Sequence, residues 1–215
     1  MKKMLIIVLV ISISYCFAQP KANLSQVKEE IVSYYETGKI EKEYEKAIQK
    51  MKKQLDLQIK NSKGKNNVAV VFDIDETILS NYPHMKMLDF GYIPELWDKW
   101  VDEAKAPVIK PTKKLYDYLV NKNIKIIFIT GRYADQYEKT KKNLNDLGIK
   151  NFDTIITKSR NGNNKTTGKY KEQKREELVK KGYQIIACVG DQWSDMEGKN
   201  TGIKIKLPNY IYIIK

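Results

Sequence analysis

Three carboxylates, Asp73, Asp75 and Glu76, directly follow an apolar run, Val68 to Phe72, in the stretch VAVVFDIDETILSNYP. Like charges held this close repel and raise one another's pKa unless something positive lies among them. The stretch is therefore either a strand end with solvated acids or a cation site. A second acidic group, Asp191 and Asp195 in GDQWSD, follows the apolar QIIACV, and Thr130, Gly131 and Arg132 follow the apolar IIFI. Asp73, Asp75 and Asp191 form an oxygen-rich set with no His or Cys beside them, which selects Mg2+ over zinc. A Mg2+ site that keeps open positions suits a phosphate. A carboxylate at a strand end can attack phosphorus and form an aspartyl phosphate. Asp75, two residues on, shares Asp73's side while the chain stays extended, which suits an acid and base. The Thr130 hydroxyl can hold a phosphoryl oxygen, and a lysine should bridge the phosphate and the nucleophile.

These groups need elements to position them. Apolar runs at 68–72, 124–129, 152–157 and 183–189 read as strands, and IKIKL and YIYII near the end supply one or two edge strands. Between the runs lie helical stretches at 111–124, 134–147 and 170–181. The first begins with Pro111 and the other two are closed by Gly148 and Gly182. Residues 24–60 also read as helical, because Ile40, Tyr44, Ile48, Met51, Leu55 and Ile59 recur at spacings of three and four. Continuous apolar strands alternating with helices predict an α/β fold, a parallel sheet sandwiched by helices. Ligands bind beyond the carboxyl ends of such strands, where the acids, Thr130 and Gly190 all fall. NGNNKTTGK, 161–169, reads as a loop. Residues 77–110 show no clean period and are dense in aromatics, which suggests a pocket wall or lid.

The chain has 215 residues, 42% hydrophobic and 30% charged, which suits one soluble domain with a helical annex. The formal net charge is +13, but the basic residues are nearly all lysines spread among acids, which argues against dedicated nucleic-acid binding. The first 18 residues, MKKMLIIVLVISISYCFA, pair a basic start with a short apolar run and a small residue, the pattern of a secretory signal peptide. Cleavage after Ala18 predicts an exported protein, periplasmic or secreted, with residues 19–215 as a single domain and no stable membrane span. Cys16 raises a lipoprotein alternative, but the bulky Tyr15 before it disfavours lipidation. Cys188 then stands alone in an apolar run as core, with no intramolecular disulfide to make.

DIDET, FITGR, a lysine-bearing helix start and GDQWSD, in that order, resemble the four motifs of the haloacid dehalogenase (HAD) superfamily of phosphatases. FDIDETILSNYP, TKKNLNDLG, YKEQKREELVKKGYQIIACVGDQWSDMEG and KLPNYIY resemble its acid phosphatase branch, subfamily IIIB, which includes secreted bacterial enzymes of classes B and C and plant vegetative storage proteins. The resemblance covers roughly residues 25–213. It implies a Rossmann-like fold with an N-terminal helical segment and no large cap. It implies Asp73 as nucleophile and Mg2+ ligand, and Asp75 as acid/base that also ligates through its backbone carbonyl. It implies Thr130 as a phosphate binder, Asp191 as a third ligand and Asp195 as an orienting residue. Lys171 aligns with the motif lysine, with Lys169 and Lys174 as rivals.

In that branch the insert after the first motif shapes the pocket, so Tyr82, His84, Tyr92 and Trp97 become specificity candidates, beside Gly131 and Arg132. An aromatic wall there would suit nucleotides or aryl phosphates. His84, the only histidine, would titrate near neutrality in a pocket. Glu76 has no assigned chemistry and is expected to be the most tolerant of the three acids. The expected activity is Mg2+-dependent hydrolysis of small phosphomonoesters. Phosphotransfer to another alcohol, or a storage role without catalysis, are the alternatives. Oligomeric state is open.

Overall fold

The computed structural model describes residues 22–161 and 166–214. The expected signal peptide and Cys16 lie outside the described residues, as do residues 162–165 of the expected 161–169 loop. No described helix is long and apolar enough to cross a membrane.

Five parallel strands form one sheet: β1 (Val68–Phe72), β2 (Lys125–Tyr133), β3 (Thr154–Lys158), β4 (Gln184–Gly190) and β5 (Ile203–Lys206), in the order β3-β2-β1-β4-β5. Strand geometry sends successive side chains to opposite faces, and the core divides accordingly. Val68, Val70, Phe72, Ile126, Phe128 and Val189 join one apolar cluster, and Ala69, Val71, Ile127, Ile129 and Cys188 join another. The first face is covered by α2 (Lys39–Asn61), α5 (Lys110–Asn121) and α6 (Tyr137–Asp146), which contribute Leu55, Leu119 and Leu144. The second is covered by α7 (Thr167–Lys180) through Leu178 and Tyr170. The central strand β1 and most of β2 and β4 are thus buried on both sides, as their apolar composition predicted, while the edge strands are partly exposed. Cys188 lies in the core, where burial pushes its thiol up to about 12.

Several local expectations change. The helical stretch 24–60 is two helices, α1 (Leu24–Glu36) and α2, broken at Gly38, whose φ of 72° is a left-handed conformation that glycine adopts without strain. Residues 77–110, expected to be irregular, contain α3 (Tyr82–Met87) and α4 (Pro94–Glu103). Helices of six and ten residues are too short to print a clear period, and each begins with a proline in its first turn, a position where proline is pre-organised. β2 runs on past Ile129 through the motif to Tyr133, with a register shift between those two residues. The loop expected to reach 169 ends earlier: Thr166 caps α7 by accepting from the Lys169 amide. YIYII forms no strand. The Asn209 side chain accepts from the amides of Ile211 and Tyr212 and turns the chain instead.

The second N-terminal helix, α2, belongs to the core. Leu55 of α2 is 1% exposed in the cluster that holds Phe72, directly before Asp73. Leu55→Ala should therefore lower unfolding free energy by about 2–5 kcal/mol, measured by urea titration. A loss below about 1 kcal/mol would show that α2 is a detachable annex.

Candidate active site

The carboxyl ends of β1, β2 and β4 present the predicted polar residues on one edge of the sheet. Asp73 directly follows β1, and its amide donates to the carbonyl of Val189 in β4 (2.9 Å), fixing the strand end in place. Its carboxylate accepts from the Lys171 ammonium at 2.6 Å, and the same ammonium donates to Asp195 at 2.6 Å. All three residues are buried. The structure therefore selects among the three lysines. Lys169 is exposed on α7, and Lys174 pairs with Glu177 on the helix's own surface. Burial alone would lower the Lys171 pKa, but Asp195 and Asp73 together carry it well above the ordinary lysine value. Burial pushes the Asp73 carboxyl up, opposed by Lys171 and reinforced by Asp195 and Asp191.

Asp195 owes its place to three features. A 3-10 turn, Trp193–Asp195, follows β4, and the Gln192 amide donates to the second Asp195 oxygen (2.8 Å). Gly190 leaves room for it, since a Cβ there would stand 2.5 Å from the Asp195 Cβ. Arg175, fully buried on α7, donates to the backbone carbonyls of Asp195, Glu197 and Lys199 and holds the whole turn.

Asp191 accepts from the Thr77 hydroxyl (3.1 Å), the Gln192 carboxamide (2.6 Å) and the Asn209 carboxamide (2.7 Å), all neutral donors. Burial, then Asp195, pushes its carboxyl up to about 6. Oxygens of Asp73, Asp191 and Asp195 all lie within 4.8 Å of one another. This set fits a divalent metal. The donors are all hard oxygens, buried, and among the described residues Asp191 forms no ion pair of its own. Asp195 adds a carboxylate to this group beside its ion pair with Lys171, and the contribution expected of Asp75 is its backbone oxygen rather than its carboxylate.

The Asp75 carboxylate turns away from this cluster into a clamp. Arg132 grips it with Nε (3.0 and 3.2 Å) and Nη2 (2.7 Å), and Asn81 Nδ2 donates to it at 2.9 Å. Arg132 lines the cleft, as expected, but its guanidinium is committed to Asp75 and to Thr140. Thr130 is fully buried at the end of β2, and its hydroxyl oxygen accepts from the Arg132 amide (3.1 Å).

Of the specificity candidates, Tyr92, Trp97 and Gly131 line the cleft above Asp73, a space of about 430 Å3. Tyr82 and His84 do not. Tyr82 stacks on Tyr35 of α1 (4.6 Å between centroids) and bonds Glu36, tying α3 to the N-terminal helix. His84 is 1% exposed and stacks on Trp100 (5.5 Å). Burial lowers its pKa below the ordinary histidine value.

The surroundings of Glu76 speak against the expected tolerance. It is 1% exposed, with a φ of 50°, and accepts from the Asn81 amide (2.5 Å), Asn81 Nδ2 (3.1 Å) and the Tyr212 hydroxyl (2.5 Å). Burial, then Asp75 and Asp191, pushes its carboxyl up to about 8. Asn81, Gln192, Asn209 and Tyr212 are the residues that the sequence reading missed. All four act by hydrogen-bonding the acids, and polar side chains of that kind carry no spacing signal.

Acids gathered at the carboxyl edge of a parallel α/β sheet, with a lysine shared between two of them, place the chain in the HAD class of proteins. Within it, the chain belongs to the subfamily IIIB acid phosphatase family, which residues 11–215 match. It is 36% identical over 155 residues to the stem 31 kDa glycoprotein of Glycine max, covering 70% of this chain and 61% of that one. It is 33% identical over 148 residues to acid phosphatase 1 of Solanum lycopersicum, covering 67% of this chain and 58% of that one. The chain thus spans about three fifths of the length of these curated relatives. The class C acid phosphatase of Bacillus anthracis, solved with tungstate bound, superposes with a TM-score of 0.71 at 26% identity, covering 88% of this chain and 86% of that one.

Glu76→Ala leaves three donors without their buried acceptor, so it should cost about 1–3 kcal/mol in a thermal or urea melt. An unchanged midpoint would return Glu76 to the tolerant turn residue that its sequence context suggested.

Proposed function

We propose that the protein is a phosphatase of small phosphomonoesters that works through an aspartyl-phosphate intermediate on Asp73. The observation that carries the reading is the Lys171 ammonium, buried within hydrogen-bonding distance of Asp73 at the floor of the cleft. A phosphoryl group entering there meets a cation beside a carboxylate nucleophile, which favours the charge that develops in transfer.

The steps follow from the residues. An Asp73 oxygen bonds to phosphorus as the bond from phosphorus to the leaving oxygen breaks. Asp75 donates its proton to that oxygen, with its carboxyl aimed by Arg132 and Asn81. Water then attacks phosphorus and gives a proton to Asp75, releasing phosphate and restoring Asp73. Lys171 and the Thr130 hydroxyl hold phosphoryl oxygens, while Asp195 keeps Lys171 in place. Asp73, Asp191 and the Asp75 backbone oxygen would hold Mg2+, which supplies charge to offset the phosphoryl oxygens when bound. The tungstate in the Bacillus anthracis relative is a tetrahedral oxyanion, as phosphate is. Tyr92 and Trp97 suit an aryl or nucleotide leaving group. Some relatives are named vegetative storage proteins, but this chain keeps the full set of Asp73, Asp75, Thr130 and Asp191. Export after cleavage at Ala18 rests on the leader pattern, and a mature N-terminus other than Gln19 in mass spectrometry would overturn it.

Hydrolysis of a chromogenic aryl phosphate tests the chemistry. Wild type with Mg2+ should turn over and EDTA should abolish turnover. Asp73→Asn should reduce kcat by about a thousandfold or more. Equal rates for wild type and Asp73→Asn would sink the mechanism.

A further inference from the structure

We propose that Ile213 and Ile214, at the end of the chain, are specificity-determining residues that select phosphomonoesters with a flat apolar leaving group. The inference rests on the phosphatase reading of the same site. Both residues line the cleft whose floor is Asp73 and Lys171. Ile213 is 82% exposed and Ile214 is 44% exposed. Two branched apolar side chains facing water at the mouth of a cleft gain free energy when an apolar body covers them.

They are also held there. The Ile214 amide donates to the Gln192 side-chain oxygen (3.1 Å), and the Gln192 carboxamide donates to the Tyr212 carbonyl (3.4 Å). That carboxamide reaches Asp191 as well (2.6 Å), so one side chain ties the end of the chain to the carboxylate cluster. Tyr212, just before the pair, is anchored on Glu76. These bonds tie the backbone on either side of Ile213 to the carboxylate cluster.

The chemistry of the occupant follows from this placement. A phosphoryl group drawn to Lys171 puts its ester oxygen, and whatever that oxygen carries, toward the cleft mouth. Tyr92 and Trp97 already give that mouth aromatic surface, and the isoleucines add an aliphatic one. A planar hydrophobic leaving group contacts both kinds of surface. A polyol such as glycerol loses hydration there and gains little.

The test compares the mature wild type with the double variant Ile213→Ser, Ile214→Ser, in the presence of Mg2+. Calorimetry gives Kd for benzylphosphonate and methylphosphonate, neither of which can be hydrolysed at its carbon–phosphorus bond. The ratio of the two constants should shift about tenfold against benzylphosphonate in the double variant. The kcat/KM ratio of phenyl phosphate over glycerol phosphate should fall by a similar factor, carried mainly by KM. Met87→Ser, which alters an exposed apolar residue outside the cleft, should move neither ratio. Ratios unmoved in the double variant, with both phosphonates still bound, overturn the inference and leave the phosphatase reading intact. Failure of wild type to bind either phosphonate overturns both.

Discussion

The site is governed by the repulsion of carboxylates packed at one edge of a sheet. Asp73, Asp75, Glu76, Asp191 and Asp195 crowd a largely buried edge, where each desolvated charge is costly and each neighbour of like sign adds to the cost. The chain answers with a separate device for each. Lys171 stands between Asp73 and Asp195, Arg132 takes Asp75, and Asn81 with Tyr212 hold Glu76. Asp191 has only neutral donors, which makes it the acid with most to gain from a bound cation. Buried ion pairs of this kind add little net stability. Their value here is positional, because two short bonds in one direction each fix where a carboxylate can point.

That requirement explains features remote from the chemistry. Lys171 reaches Asp73 only if α7 lies close to the 3-10 turn after β4. The fully buried Arg175, one helical turn beyond Lys171, binds three carbonyls around that turn and closes the gap. On the other side of the cleft floor, β2 extends past its expected end, which carries Arg132 to Asp75.

The parallel sheet and its loaded edge were legible from sequence because both signals are local. Continuous apolar runs such as Val68 to Phe72 define buried strands, and acids directly after them fall at one edge by topology alone. Lys171 needed three-dimensional placement, since Lys169, Lys171 and Lys174 share one short stretch and only the helix phase distinguishes them. His84 and Tyr82 misled because aromatic density marks pocket walls and packing alike. Here both pack, His84 against Trp100 and Tyr82 against Tyr35. Glu76 was misjudged because its partners, Asn81 and Tyr212, lie five and 136 positions away.

The dependence between fold and site runs in one direction. The strand interiors are packed by residues such as Phe72, Ile127 and Val189, none of which touches a phosphate-binding role. Removing Asp73's charge would relieve repulsion at the edge without opening a cavity in that core. The charge of Asp73 thus sits at the edge of a core whose apolar packing does not depend on it. Substitution of the nucleophile alone would therefore leave the apolar packing in place, so the fold does not by itself require the chemistry. Asp73 and Asp195 stand here with a buried lysine whose charge they offset. An ammonium as nearly fully buried as Lys171 is would be costly without them.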